Sequence, residues 1–347
     1  MATVGRGRGT RARRAARTRR TTRTRGTATA RALLTVLLAA GLAAGCTASG
    51  SPDDDGRGES WPSPLEPRPD GAGGSQVLAV KLDNTPAARP QTGLDAADVV
   101  YVEQVEGGLS RLMAVYATRL PESVGPVRSA READLELLRQ FDRPILAFSG
   151  AQSRLLPLIG EAPLEALTPG TPGSEAGVYS RATDRSSPHN LYLHPRRLLD
   201  DPPGPSALTT GFHHGPPPPD GTPEATHTVR YPAARFAFTW SDARDRWLVS
   251  MDGDPAVTPR GERLAPATVV VQYVTVRPSD YRDYLGNNTP YTETVGSGEA
   301  TVLRDGRAHE VRWSRPDATD GTSFTTDDGA PVNFARGQVW VVYAKAP

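Results

Sequence analysis

The 347-residue chain has one cysteine, Cys46, and two lysines, Lys81 and Lys345. One cysteine excludes an internal disulfide framework and any cysteine-built zinc site. Two lysines supply a lysine-assisted serine nucleophile poorly. The strings G-x-S-x-G, S-x-x-K and H-E-x-x-H are absent, and no histidines and acids stand at metal-ligand spacing, so no metal, cofactor or catalytic residue is expected from motifs. Long apolar runs are scarce too. The one run approaching membrane-spanning length lies at the start, which excludes a polytopic membrane protein.

Basic charge is missing where it would matter for nucleic acid. Residues 1–45 hold 11 arginines and no acid, and removing them leaves 29 basic against 39 acidic residues. The body is acidic and its basic segment detachable, which speaks against nucleic acid as a partner.

The start reads as a targeting segment. Arg6 to Arg31 is a long basic region. Residues 32–45, ALLTVLLAAGLAAG, are apolar but too short to span a bilayer, and end in small residues before Cys46. This arrangement resembles a bacterial lipoprotein signal, with Ala43 where leucine is usual. Residues 1–45 are therefore expected to be cleaved and Cys46 lipidated, anchoring the protein to the outer face of the cytoplasmic membrane. Two acyl chains on one residue make such anchoring stable. An ordinary secretory signal is the alternative, and either the general or the twin-arginine route would serve export. Residues 46–74, rich in Pro, Gly, Ser and Asp without apolar periodicity, are expected to form a disordered tether.

A second Pro/Gly-rich stretch at 201–224, with four consecutive prolines at 216–219, divides the body into 75–200 and 225–347. The first part mixes strand signals (77–82, 99–105, 112–118, 145–149) with a helix predicted from Ser129 as N-cap and Glu132 at N3, stopped by Arg143-Pro144. Short helices are expected at 152–159 and 195–200. The second part reads as nearly all β, with Asp252-Gly253, Asp305-Gly306 and Asp328-Gly329 as hairpin signals and VVVQYVTV (269–276) as its strongest strand. Such spacing predicts a small sandwich or half-barrel packed on the first part.

Four segments together resemble the YerB-like lipoprotein family, whose function is not established: LAVKLDNTPAARPQTGLDAADVVYVEQVEGGLSRLMAVY (78–116), GPVRSAREADLELL (125–138), SSPHNLYL (186–193) and VGSGEATVLRDG…VRWSRP (295–316). The resemblance implies an α+β fold: a layered β-sheet domain with helices on one side, followed by a smaller β-rich domain. It also implies a lipid-anchored protein outside the cytoplasmic membrane, and it carries over no catalytic residue.

Candidate ligand residues follow from local chemistry. Arg128 and Arg131 flank Ser129 at the expected helix start, where cations are unfavourable unless an anion lies between them or acids pair with them. Asn84 and Arg89 follow the first strand, where polar residues line a crevice or form a turn. Glu103 and Glu106, three apart, face opposite sides of an extended strand unless it ends or bulges near Gly107-Gly108. His189 is a candidate general base with Asn190 as its orienter, or part of a turn. The resulting expectation is a non-enzymatic binding or assembly protein with an anionic envelope ligand, or an envelope protein, in an arginine-lined groove. Cell-wall hydrolase or transferase chemistry through Glu103, Glu106 or His189 is the alternative, and a protein-interaction scaffold the third reading.

Overall fold

In the computed structural model, residues 76–347 are described, apart from 173, 175, 176, 284 and 285. The signal segment, Cys46 and the tether lie outside the described residues. No helix among the described residues is long and apolar enough to cross a membrane.

Strand dominates. The strands are β1 (Leu78–Asp83), β2 (Val99–Gln104), β3 (Ser110–Tyr116), β4 (Ile145–Ala147), β5 (Glu165–Leu167), β6 (Tyr179–Arg181), β7 (Leu191–Leu193), β8 (Thr222–Pro223), β9 (Thr226–Tyr231), β10 (Ala234–Ser241), β11 (Arg246–Met251), β12 (Asp254–Pro255), β13 (Thr268–Val274), β14 (Val276–Arg282), β15 (Asn288–Thr292), β16 (Gly296–Arg304), β17 (Arg307–Arg315), β18 (Ser323–Thr325) and β19 (Val339–Lys345). Two short α-helices, α1 (Glu132–Leu138) and α2 (Leu156–Glu161), flank β4.

The main sheet runs β18-β17-β16-β13-β19-β2-β3-β1-β4-β5, with β8 added on β17. The last strand, β19, lies between β13 and β2 and is parallel to both: Val341 stands opposite Val270 on one side and Tyr101 on the other. Strands from both halves of the sequence therefore share one sheet, where a small sandwich or half-barrel packed on the first part was expected for the second half. The physical reason is in the strands themselves. TVVVQYV and VWVVYAK are apolar on both faces. Such strands need cover on both sides and take central positions rather than the walls of a small sandwich. Outside it, β9–β12 form a four-stranded sheet in the order β12-β11-β10-β9, and β14 with β15 and β6 with β7 form two-stranded sheets.

Alternation along the strands makes two cores. Leu78, Val80, Val100, Val102, Leu112 and Ala114 face one layer, where Phe236, Phe238, Trp247 and Val249 of the four-stranded sheet pack with Trp340 and Val342. Ala79, Val99, Tyr101, Met113 and Val115 face the other, which also holds Leu137 and Leu138 of α1, Ile159 of α2 and Phe334. Two of the three hairpin signals take this form: Asp252 and Asp305 have φ of 57° and 52°, each followed by a glycine at positive φ, as a twist-matched tight turn requires, whereas at Asp328-Gly329 only the glycine has positive φ.

The helix begins two residues later than its capping signal predicts. Arg131 is the N-cap of α1, and Asp134 at N3 accepts the Arg131 N–H at 2.7 Å. Ser129 does not cap it; its hydroxyl lies 3.4 Å from the Ser149 hydroxyl. The expected helix at 195–200 is a single 3-10 turn, Pro195–Arg197.

Candidate functional site

At one end of β1, β2 and β3 the second core turns from apolar to charged. The strand register dictates the arrangement. Asp83 on β1 and Glu103 on β2 both stand opposite Arg111 on the intervening β3, forming one row across three strands. Lys81, two residues before Asp83, projects to the same face. The α1 helix lies over that face and adds Asp134.

Lys81 is fully buried and paired with Glu103 and, at 2.7 Å, with Asp134. Burial pushes the Glu103 carboxyl up, to about 7, and neighbouring Asp134 adds to the rise, while Lys81 and Arg111 oppose it. Asp134 thus does two jobs: it caps α1 and neutralises the lysine beneath.

Beyond β2 the chain turns through Glu106–Gly108. Gly107 and Gly108 have φ of 67° and 74°, and a Cβ on Gly108 would come within 2.5 Å of the Pro232 side chain. This turn swings Glu106 towards Arg131, which binds it in a two-pronged pair: Nε to Oε1 at 2.7 Å and Nη2 to Oε2 at 2.9 Å. Thr289 of β15 donates to the same carboxylate at 2.5 Å. Burial raises the Glu106 pKa, but Arg131, Arg111 and Thr289 outweigh it and hold the carboxyl at about 2.

The third group is nearer the surface. Asp83 Oδ2 is shared by His189 Nδ1 at 2.7 Å and Arg128 Nε at 3.2 Å, and Oδ1 accepts the Thr85 N–H at 3.0 Å. The Thr85 hydroxyl lies 3.3 Å from the same histidine nitrogen. Burial alone would raise the Asp83 pKa; the His189 hydrogen bond, Arg128, Thr85 and Arg111 together bring it well below the usual carboxylate range. Asp83 is 2% exposed, whereas the side chains of Arg128 and His189 are 14% and 19% exposed and form a rim.

Asn84 supports this rim from below. Its amide donates to Ser110 Oγ at 2.9 Å, and its oxygen accepts from Gln91 at 2.8 Å and Arg89 at 3.2 Å. Arg89 also meets Asp252 of the β11–β12 turn at 2.8 Å, tying the four-stranded sheet to the site. The Arg89-Pro90, Gly125-Pro126 and Ser187-Pro188 bonds near these residues are cis.

The expected residues therefore divide into groups. Arg128 and His189 meet at Asp83; Asn84 and Arg89 meet beside them; Glu106 and Arg131 pair in a separate buried contact; Glu103 belongs to Lys81. The arginines do not line an open basic groove: Arg89, Arg128 and Arg131 each face a carboxylate. Ser129 is buried, with its carbonyl accepting from Arg111 at 3.0 Å. Asn190 does not orient His189. Its amide turns to Ala182 O at 3.1 Å and to Arg181 at 2.8 Å, holding the β6–β7 hairpin, and Asp83 is the orienter instead. Among the described residues no three His, Cys, Asp or Glu side chains form a metal-ligating group.

Sequence reasoning missed Lys81 and Arg111 as members. A signal was available: lysine and aspartate at alternate positions of the otherwise apolar LAVKLD place two charges on one buried face.

The Glu106–Arg131 pair predicts acid sensitivity. The folded pKa of Glu106 lies below its ordinary 4.5, so its stabilisation is fully present above pH 4.5 and is lost as pH falls towards 2. The shift corresponds to roughly 3 kcal/mol. Urea denaturation of Glu106→Gln is expected to show a flatter loss of stability between pH 5 and 3 than the parent. An unchanged slope would mean that the pair does not carry the acid response.

Residues 65–205 match the family described as Protein of unknown function (DUF3048) N-terminal domain, and residues 227–341 the corresponding C-terminal domain. "Putative lipoprotein YerB" of Bacillus subtilis (strain 168) is 48% identical over 65 residues, 19% of this chain and 20% of that protein. The aligned stretch thus spans about a fifth of that relative. The crystal structure of the YerB protein from Bacillus subtilis superposes with a TM-score of 0.64 at 20% identity, covering 78% of this chain and 91% of that one. At that identity the likeness speaks to the fold alone.

Proposed function

Because the chain belongs to the YerB-like family, with its paired DUF3048 N-terminal and C-terminal parts, we propose that it is a lipid-anchored cell-envelope protein that binds an anionic ligand at the Asp83 rim. Cys46 would carry the lipid and hold the body on the outer face of the cytoplasmic membrane. The apolar run ending at Ala43-Ala44-Gly45 and the lipoprotein name of the relative support this reading. One observation carries the binding site: Arg128 and His189 converge on a single buried carboxylate oxygen while their side chains remain partly exposed. A buried charged network behind them, Lys81 with Glu103 and Asp134, fixes the platform.

Such a rim favours a peptide carboxylate or phosphate group over a large polyanion. Its positive charge is local, and Asp83 neutralises part of it. The buried arginine, Arg131, plays a structural part in this reading.

Calorimetric titration of the full chain with peptidoglycan stem peptides and with inorganic phosphate tests it. Arg128→Gln is expected to weaken binding of the preferred probe about tenfold, the loss of one charge-assisted hydrogen bond. Equal binding by parent and variant would remove the rim as the site. Detergent partitioning of Cys46→Ala tests the anchor: the variant is expected in the aqueous phase.

A further inference from the structure

The rim holds a histidine arranged as a base. We propose that His189, oriented by Asp83, is a general base that gives this site a metal-independent hydrolytic activity on carboxylic esters whose acyl part carries a negative charge. The preference for an anionic substrate rests on the binding reading above; the base does not.

The geometry defines the proton. Asp83 is held as a carboxylate and can only accept, so the hydrogen at 2.7 Å belongs to His189 Nδ1. Nδ1–H fixed in this way leaves the Nε2 lone pair free. Among the described residues the hydrogen bonds of His189 run only through Nδ1, to Asp83 and Thr85, and its side chain is 19% exposed. Nε2 is thus available to solvent. A water there can lose a proton to it.

The neighbouring cation completes the arrangement. Arg128 shares the Asp83 oxygen, so its guanidinium lies beside the imidazole. In the step, Nε2 removes a proton from water as the water oxygen bonds to the acyl carbon. The carbonyl π-pair moves to oxygen, where the guanidinium stabilises the developing charge. Collapse restores the C=O bond and breaks the C–O bond, and the departing alkoxide takes the proton back from Nε2. Water and ester give a carboxylic acid and an alcohol, with no further reactant. Asp83 is a positioning residue here; His189 and Arg128 touch the reacting atoms.

This differs from the arrangement inferred from the SPHN string. Asn190 cannot serve, since both ends of its amide are used within the β6–β7 hairpin. Glu103 and Glu106 are likewise committed to buried cations.

The test uses the full chain with two probes, p-nitrophenyl acetate and mono-p-nitrophenyl succinate, in water and in D2O. General-base participation is expected to contribute about 10²-fold. Accordingly His189→Gln should lose most of the turnover, with His189→Asn as a second variant, both checked for folding by circular dichroism. The parent reaction should slow in D2O, because a water proton moves in the transition state; attack by the imidazole itself would show no such slowing. Asp83→Asn should lower kcat more than it raises KM and displace the pH profile. Arg128→Gln should abolish the preference for the succinate ester.

Turnover that depends on His189 and slows in D2O, without preference for succinate, supports the base and sinks the anionic-ligand reading. Turnover equal in parent and folded His189→Gln, or insensitive to D2O, overturns the proposal. Phosphate or stem-peptide binding that survives that result leaves the binding reading standing alone.

Discussion

Replacement of Lys81 by methionine is expected to lower the free energy of unfolding by about 3–5 kcal/mol, the usual cost of removing one partner from a buried ionic group. Lys81 is fully buried between Glu103 and Asp134. Without it, two carboxylates face each other with no water to solvate them. Methionine fills most of the volume, so the loss reports charge rather than a cavity.

The pH dependence gives the sign. The Glu103 carboxyl is already pushed up from 4.5 to about 7 by burial. Between those values the folded protein binds more protons at this site than the unfolded chain, so the contribution of Glu103 is largest below pH 4.5 and falls as pH rises through about 7. Removing the lysine, which opposes the shift, must raise the folded value further. The Lys81→Met deficit is therefore expected to be larger at pH 8 than at pH 5, by urea denaturation. Adding Glu103→Gln should recover part of it at pH 8. A deficit below about 1 kcal/mol and flat with pH would be in the range of an ordinary surface pair, and the buried triad would then not be ionic.

The second large effect is expected at Arg315. Its side chain is fully buried in β17 and donates to five oxygens. These are Glu136 O at 3.0 Å, Leu137 O at 3.2 Å, Ala318 O at 2.5 Å, Asp320 O at 2.9 Å and Thr294 Oγ1 at 2.8 Å. Two of these are carbonyls of the last turn of α1, which the Arg139 N–H and the Gln140 side chain also reach, at 3.3 and 2.8 Å. A cation there also opposes the negative end of the helix dipole. The Glu136 side chain answers from the helix, accepting the Thr294 N–H at 2.8 Å and the Tyr291 hydroxyl at 2.8 Å.

Arg315→Ala removes the charged donor from all five oxygens and takes from the Ala318 and Asp320 carbonyls the donor described for them, each loss costing about 1–3 kcal/mol before water enters. A net loss of about 3–5 kcal/mol is expected, comparable to breaking other buried polar networks. Arg315→Lys should retain part of the stability, since one ammonium can reach some of the oxygens but not span all of them. Hydrogen exchange distinguishes this from a diffuse effect. The amides of α1 should lose protection selectively, because Arg315 joins α1 to the 291–295 and 318–320 segments. Uniform loss across the main sheet would contradict that role. Since α1 carries Asp134 and is capped by Arg131, its loosening should also weaken the Lys81–Asp134 and Glu106–Arg131 pairs.

Much of the local structure was legible in the residues. The strand signals at 77–82, 99–105, 112–118 and 145–149 and the apolar run VVVQYVTV marked strands, and Asp252-Gly253 and Asp305-Gly306 marked turns, because these patterns act through neighbouring residues. The expected signal segment and Cys46 rest on the sequence and lie outside the described residues. What the sequence by itself determined, then, was which segments form most of the strands and which polar residues lie in the family-like motifs.

Only the tertiary structure decided how those polar residues are matched. The insertion of β19 between β13 and β2 joins both halves of the chain in one sheet, a pairing across more than 230 residues that no local pattern encodes. The same register sets Asp83, Arg111 and Glu103 in one row. Arginines that read as an open anion site are consumed by carboxylates arriving from other strands and turns, Glu106 for Arg131 and Asp252 for Arg89. His189 receives its orienting carboxylate from Asp83, 106 residues away, rather than from adjacent Asn190. Charge pairing in a buried site depends on which side chains the folded backbone brings within hydrogen-bond reach, and that distance is set by sheet topology, not by separation along the chain.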